Sequence, residues 1–167
     1  MALSKKIEAT LNQQINEEWF SAYLYKSMSA YFESLNLKGC AHWMNLQTLE
    51  ELSHGEKFFN FIHDRFGTVK LTAIKTPQLI WKNPLDAFQA ALKHEQHITS
   101  KINELMTLAQ KEHDYASVTF LNWFVTEQVE EEAAADELVE KLKFIGDNKA
   151  ALLGLDRELG QRALSKN

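Results

Sequence analysis

The stretch CAHWMNLQTLEELSHGEKFFNF, residues 40–61, decides the fold of this chain. Its apolar residues recur at steps of three and four, the spacing that keeps side chains on one face of an α-helix. That face carries Cys40, Met44, Gln47, Glu51, His54, Phe58 and Phe61. The buried face of a predicted helix is therefore interrupted near its middle by a carboxylate and an imidazole, two side-chain types that bind metal ions.

Three other stretches repeat this pattern, each with a glutamate near the middle of its apolar face. These faces run through Leu11, Ile15, Glu18, Ala22, Tyr25, Ser29 and Phe32; through Phe88, Ala91, Glu95, Ile98, Ile102, Leu105 and Ala109; and through Leu121, Phe124, Gln128, Glu131, Ala135, Leu138, Leu142 and Ile145. Four buried carboxylates would repel one another and would be poorly solvated. Two divalent cations remove that conflict, because four negative charges then meet four positive ones.

The predicted architecture is all-α, a four-helix bundle in one domain over residues 1–167. With only six Gly and two Pro, the 167-residue chain has few places to turn, so long helices are expected. We predict helices over residues 4–34, 40–66 with Gly67 as the stop, 84–111, 114–146, and a short fifth over 148–163. Asn83, Asp114 and Asp147 are the expected N-caps. Residues 68–82 lack a helical stripe, and we interpret them as one long crossover between the second and third helices, along the length of the bundle.

Composition excludes several classes of function. The net charge of −5 and the lack of a basic stripe argue against nucleic-acid binding. No apolar run is long enough for a membrane span, and the polar N-terminus does not resemble a signal peptide. The single cysteine, Cys40, rules out an internal disulfide and fits the reducing cytosol, so we expect a cytoplasmic protein.

The ligand types indicate which metal the centre would take. Glu51 and His54 form a Glu-x-x-His pair whose side chains share a helical face. Mostly carboxylate donors with one imidazole favour iron or manganese over structural zinc. A symmetric site would place a second histidine three residues after Glu131, but Ala134 stands there and Gln128 lies one turn before. One metal position should therefore be held more weakly, which suits an ion that enters, is oxidised and leaves.

At this point the chain resembles the bacterial non-haem ferritins of the heavy-chain type, over nearly its whole length. The resemblance rests on Glu18 with Tyr25, on residues 50–54 (EELSH), on 94–96 (HEQ) and on 123–131 (WFVTEQVEE). It implies a ferritin-like bundle, an iron-storage protein with ferroxidase activity and a hollow shell of twenty-four subunits that holds ferric mineral. The implied partners are Fe(II), O2 or H2O2 and further copies of the chain. Leu52 stands where bacterioferritins carry a haem-ligating methionine, so no haem is expected.

The resemblance also implies a role for individual residues. Glu18, Glu51 and His54 would hold the first iron. Glu51 would bridge to a second iron held by Glu95 and Glu131. The residues implied around these two positions are Gln128 beside the centre, Tyr25 as a redox-active tyrosine, and Glu50, Glu127 and Glu130, which share Glu131, as a third iron site near the inner surface.

Simpler interpretations stay open for several of these residues. Tyr25 lies on one of the four apolar helix faces, which we call seams, and is also consistent with a core residue whose hydroxyl is hydrogen-bonded. Glu130 belongs to an acidic run that can be a solvated face. His94 and His97 lie off the seam, so surface or subunit contact is the default expectation, with an iron route as the alternative. At the level of the whole protein, the alternatives are a di-iron or di-manganese oxidase or peroxidase that stores nothing, and a purely structural bundle.

Overall fold

The computed structural model describes residues 2–164, and within them the chain forms five α-helices and no strand. Their bounds are α1 Lys5–Ser34, α2 Lys38–Asp64, α3 Pro84–Lys111, α4 Tyr115–Ile145 and α5 Lys149–Leu159. α1 packs against α2 and α3, α3 packs against α4, and α5 lies against α2 and α4. The predicted bundle of four long helices with a short fifth is confirmed. None of the described helices combines the length and apolar content needed to span a lipid bilayer.

Side-chain caps fix where the helices begin. Ser4, Asn83, Asp114 and Asn148 each accept a hydrogen bond from the backbone N–H three residues later, which satisfies a donor that the first turn leaves unpaired. The predicted caps Asn83 and Asp114 are confirmed, but Asp147 is wrong, because its neighbour Asn148 caps α5. α2 begins at Lys38, two residues before the expected start.

Three helices end in the same way, with a non-glycine residue in the left-handed region. Asn36, Phe66 and His113 have φ of 57°, 58° and 55°. After α2, for example, the N–H of Gly67 donates to the carbonyl of Ile62 at 2.8 Å. This is the Schellman arrangement, which satisfies carbonyls that a helix end leaves unpaired. α2 therefore ends at Asp64, two residues before the predicted end. α5 also ends earlier than predicted, at Leu159 and not at residue 163.

The crossover, predicted over residues 68–82, extends over residues 65–83 and contains neither helix nor strand. Polar side chains of α1 hold its backbone: Asn12 Nδ2 donates to the carbonyl of Thr68 at 3.0 Å, and Asn16 Nδ2 donates to that of Ala73 at 3.1 Å. At its far end Trp81 is buried and contacts the ring of Tyr31, with the ring centroids 5.3 Å apart. The crossover thus runs along α1 from one end of the bundle to the other.

The bundle core consists of two apolar clusters separated by a polar layer. One cluster contains Leu11, Ile15, Phe58, Ile98 and Phe124, and the other contains Met28, Phe32, Met44, Phe88 and Leu138. On each of the four long helices, the segment between these two sets is where the seam glutamate stands. The interruptions seen in the four seams therefore meet at one depth of the bundle.

Candidate metal centre

Four glutamates from four different helices line the polar layer and are almost completely buried. The exposed fractions are 1% for Glu18, 1% for Glu51, 0% for Glu95 and 7% for Glu131. A helical repeat of 3.6 residues brings each of them to the face that also carries the flanking core residues. The prediction that the seam carboxylates are buried inside the bundle is confirmed by these exposures.

The first group of possible ligands contains Glu18, Glu51 and His54. On α2 the Oε2 atom of Glu51 lies 3.3 Å from His54 Nδ1, as their i, i+3 spacing allows. Glu18 Oε2 approaches the same nitrogen from α1 at 4.0 Å. One donor atom from each of the three residues lies within 4.8 Å of the others, so a single ion could bind all three.

A second group of possible ligands shares His54 and adds two residues of α4. It consists of His54, Glu127 and Glu131, again with one donor atom from each within 4.8 Å. The Nε2 atom of His54 lies 3.9 Å from Glu127 Oε1. His54 therefore faces Glu51 with one ring nitrogen and Glu127 with the other.

Amide and phenol groups hold three of the buried carboxylates, by one oxygen in Glu18 and Glu131 and by both oxygens in Glu95. Gln14 Nε2 donates to Glu18 and Gln47 Nε2 donates to Glu131, each at 2.8 Å. Glu95 accepts hydrogen bonds from Tyr25 Oη and from Gln128 Nε2, the latter at 3.2 Å. These bonds fix the orientation of the carboxylates in the way that outer-shell groups orient metal ligands.

Three buried atoms of the candidate ligands lack a hydrogen-bond partner within residues 2–164. They are Glu18 Oε2, Glu51 Oε2 and His54 Nε2. Burying unpaired polar atoms is costly, and native proteins rarely leave several of them together. Their oxygen-rich donor set fits a hard or borderline divalent cation such as ferrous iron.

Burial makes the four glutamates weak acids. It raises the pKa of Glu18 and Glu51 well above the ordinary value, and the repulsion between the carboxylates raises them further. Burial raises the pKa of Glu95 to about 7 and that of Glu131 to about 8. Without a cation, the four carboxylates cannot all be ionised at neutral pH, because each charge would be desolvated beside other negative charges.

The residues expected to form a third iron site are not gathered into one group among the described residues. Glu127 lies with His54 and Glu131, whereas Glu130 is exposed to solvent. Glu50 is 6% exposed, and its Oε2 atom pairs with Arg162 Nη2 at 2.7 Å. The role of these residues as iron ligands stays a prediction.

Some groups around the centre were not singled out in the sequence. Gln14 could have been found, because it lies four residues before Glu18 on the same helical face. The contact of Gln47 with Glu131 joins α2 to α4, and Arg162 reaches Glu50 from beyond α5. No local spacing in the sequence reports such contacts.

The two histidines beside Glu95 differ in their surroundings. His97 is exposed, and its Nε2 atom lies 3.0 Å from Glu17 Oε2. His94 is partly buried, with Nε2 at 2.7 Å from Ser21 Oγ and its ring against Phe20. Burial lowers the pKa of His94 to about 4, so this ring is neutral at pH 7. The surface expectation fits His97, while His94 packs between α1 and α3.

The chain matches the family described as Ferritin-like domain over residues 8–145. A bacterial non-heme ferritin of Staphylococcus aureus (strain MRSA252) is 37% identical over 164 residues, which cover 98% of this chain and 99% of that protein. One from Bacteroides fragilis (strain 638R) is 40% identical and covers 96% and 99%. These matches confirm the resemblance inferred from the sequence.

Solved structures agree with this assignment. An open-pore ferritin from the hyperthermophilic archaeon Archaeoglobus fulgidus superposes with a TM-score of 0.96 at 49% identity, covering 97% of this chain and 100% of that one. An engineered closed form of the same archaeal ferritin gives a TM-score of 0.97, also at 49% identity, and covers 98% and 100%. The similarity therefore extends through the crossover and α5.

Proposed function

This chain belongs to the ferritin family, and we propose that it stores iron and oxidises Fe(II) with O2 at the buried centre between its four long helices. The observation that carries the proposal is the set of four buried glutamates around His54, with three atoms of these candidate ligands left without a hydrogen-bond partner among the described residues. A structural bundle would pair such carboxylates or replace them with apolar residues. Iron is the substrate and the stored product.

We assign the first ferrous ion to Glu18, Glu51 and His54, and the second to Glu95 and Glu131 with Glu51 shared between them. Two ferrous ions together supply the two electrons that reduce one O2 to the peroxide level. Carboxylate oxygens favour Fe(III) over Fe(II), because the higher charge gains more from anionic ligands. The ligand set therefore assists the loss of the electrons.

Neighbouring residues would orient the ligands and handle protons. The Gln128 amide and the Tyr25 phenol hold the Glu95 carboxylate in place. When cations replace protons in the layer, Glu95 and Glu131 release those protons, because a bound positive charge lowers the pKa of its ligands. We also propose Tyr25, whose hydroxyl donates to Glu95, as a redox-active residue beside the centre.

The oxidised iron would leave the centre past Glu127 and Glu130 on α4 and enter the cavity of a twenty-four-subunit shell. Self-association is supported by large apolar side chains on the outside of the crossover: Leu71, Leu79 and Ile80 are 63%, 64% and 77% exposed. Exposed apolar patches of this kind mark protein–protein contacts. We propose a single cytoplasmic domain over residues 1–167 as the repeating unit.

Aerobic addition of Fe(II) in large excess, followed by particle sizing and iron analysis, tests the proposed storage function. We expect a large particle that retains far more than about two irons per chain. Retention that stops near two would instead indicate an oxidase without storage, and retention of almost none would indicate a structural bundle.

The site assignment is tested by Glu51→Gln, which removes the shared ligand. We expect the initial rate of Fe(II) oxidation to fall about tenfold or more, equivalent to at least about 1.4 kcal/mol of lost stabilisation of the transition state. Glu56→Gln is the matched control, since Glu56 lies on the same helix but is exposed. An unchanged initial rate in Glu51→Gln would reject the assignment.

A further inference from the structure

An arginine from the C-terminal segment pairs with a buried glutamate next to the centre. Arg162 Nη2 lies 2.7 Å from Glu50 Oε2, and the two side chains are 23% and 7% exposed. Glu50 directly precedes Glu51, the ligand that we propose as shared between the two iron positions. Arg162 therefore places a permanent positive charge at the edge of a site whose substrate is a cation.

Several further contacts hold the guanidinium in this position. It lies over the ring of Trp43, 4.8 Å from the ring centroid, and Nη1 donates to the Trp43 carbonyl at 3.5 Å. The carbonyl of Arg162 lies 2.9 Å from His42 Nε2. Segment 160–164 follows α5, which is itself fixed to α2 by Asp156, whose Oδ1 atom accepts a hydrogen bond from the N–H of Cys40 at 2.8 Å. Docking of α5 thus delivers Arg162 to Glu50.

Glu50 also belongs electrostatically to the centre. Burial is the main cause of the raised pKa of Glu51 and of Glu131, and the charge of Glu50 adds to the shift at both residues. Glu50 therefore lies within effective Coulomb range of ligands on α2 and α4. A cation bound at Glu50 would be stabilised by the same carboxylates, and at Oε2 it would compete with the Arg162 guanidinium.

We propose that Arg162 is a positioning residue that competes with metal ions for Glu50, so that a cation binds Glu50 Oε2 only when the guanidinium leaves. The inference rests on the proposed iron function and deepens it. Because linkage is reciprocal, a cation at Glu50 must weaken the docking of segment 160–164 by the same factor by which that docking weakens cation binding. Segment 160–164 would thereby weaken cation binding at Glu50, and cation binding at Glu50 would loosen segment 160–164.

The affinity test is an anaerobic calorimetric titration of the whole assembled protein with Co(II), a divalent ion that O2 chemistry does not consume. In Arg162→Gln, we expect the affinity of the weakest bound cation to rise about fivefold to tenfold, within the usual range for linked sites. The tighter binding at Glu18, Glu51 and His54 should change much less. Arg162→Lys keeps the charge and should stay near the wild-type value.

Two controls separate competition at Glu50 from a general effect of charge. Arg157→Gln removes the same charge from an exposed position on α5 and should leave the titration unchanged. Glu50→Gln should abolish the weak site, and adding Arg162→Gln to it should have no further effect. Equal shifts in Arg157→Gln and Arg162→Gln would overturn the proposal.

Hydrogen exchange of the backbone amides in segment 160–164 provides the reciprocal measurement. We expect Co(II) to accelerate this exchange in the wild-type protein and to leave it unchanged in Glu50→Gln, where the segment is already loosened. If tight Co(II) binding is normal but neither the weak affinity nor the exchange responds, Arg162 does not compete and the iron function stands. If the wild-type protein binds no Co(II) at all, both the competition and the proposed iron centre are rejected.

Discussion

Glu95 and Glu131 carry protons at a pH at which exposed glutamates have lost them. Burial raises the pKa of Glu95 to about 7 and of Glu131 to about 8, so the folded protein binds protons that the unfolded chain releases above roughly pH 4.5. Stability of the metal-free protein should therefore fall as pH rises through this window. His94 has the opposite effect only below about pH 6.5, because its pKa is lowered to about 4.

Thermal unfolding of the metal-free protein at pH 6.5 and pH 8.0 measures this effect. We expect a lower midpoint at pH 8.0, and a smaller difference between the two pH values in Glu131→Gln, which cannot ionise. A midpoint that rises with pH in the wild-type protein would contradict the raised pKa values. Saturating divalent cation should reverse the trend, because ligands must lose their protons to bind metal.

The hydroxyl of Tyr25 is buried and donates to Glu95, so its removal should be costly. We expect Tyr25→Phe to lower the free energy of unfolding by about 1–3 kcal/mol, the range for hydrogen bonds to charged groups and for buried unpaired acceptors. Tyr23→Phe is the control, since Tyr23 is 52% exposed, and it should stay within about 0.5 kcal/mol. Equal losses in denaturant titrations of the two variants would show that the bond to Glu95 contributes nothing.

For individual residues, the sequence predicts the level of the centre along the bundle axis but not its detailed contacts. Helical periodicity places Glu18 and Glu51 on buried faces, and that is enough to bring them together. Helical periodicity does not determine which carboxylate each amide contacts. Gln47, for example, donates to Glu131 across the bundle and not to Glu51 on its own helix. The pairing of Glu50 with Arg162 depends on how the chain docks after α5, which a local pattern does not report.

The backbones of α2 and α5 approach each other closely at Gly39. A Cβ atom added at Gly39 would lie 1.5 Å from the Asp156 carbonyl oxygen, whereas one added at Gly154 on α5 would have nothing within 4 Å. We expect Gly39→Ala to cost more than about 2 kcal/mol, because backbone has to move, and to release α5. Gly154→Ala should instead stabilise the protein by about 0.4–1 kcal/mol, because alanine reduces the freedom of the unfolded chain.

Unfolding midpoints together with limited proteolysis of the α5 region distinguish these outcomes. A proteolysis pattern in Gly39→Ala that matches the wild-type pattern would show that a side chain at position 39 does not displace α5. The sequence predicts that a fifth helix exists, since Leu155 and Leu159 share a face. The predicted N-cap of α5 is wrong by one residue, because Asp147 and Asn148 are both favourable cap residues and only the backbone geometry decides between them.

For the whole molecule, the apolar outer side of the crossover is the feature that most needs a partner. Replacing Leu79 or Ile80 by Asp should abolish assembly, because a charge would be buried in an apolar contact. Sedimentation should then show small species, while circular dichroism should show unchanged helix content. Full-size particles from both variants would place the subunit contacts elsewhere.

The crossover also has consequences for how the protein is made. Its inner side is fixed by the amides of Asn12 and Asn16, while Leu71, Leu79 and Ile80 are exposed on its outer side. A newly synthesised chain that has finished folding therefore still exposes these apolar side chains until another copy covers them. The yield of assembled protein after dilution from denaturant should pass through an optimum in chain concentration. Very dilute chains do not associate, and concentrated chains aggregate before they assemble.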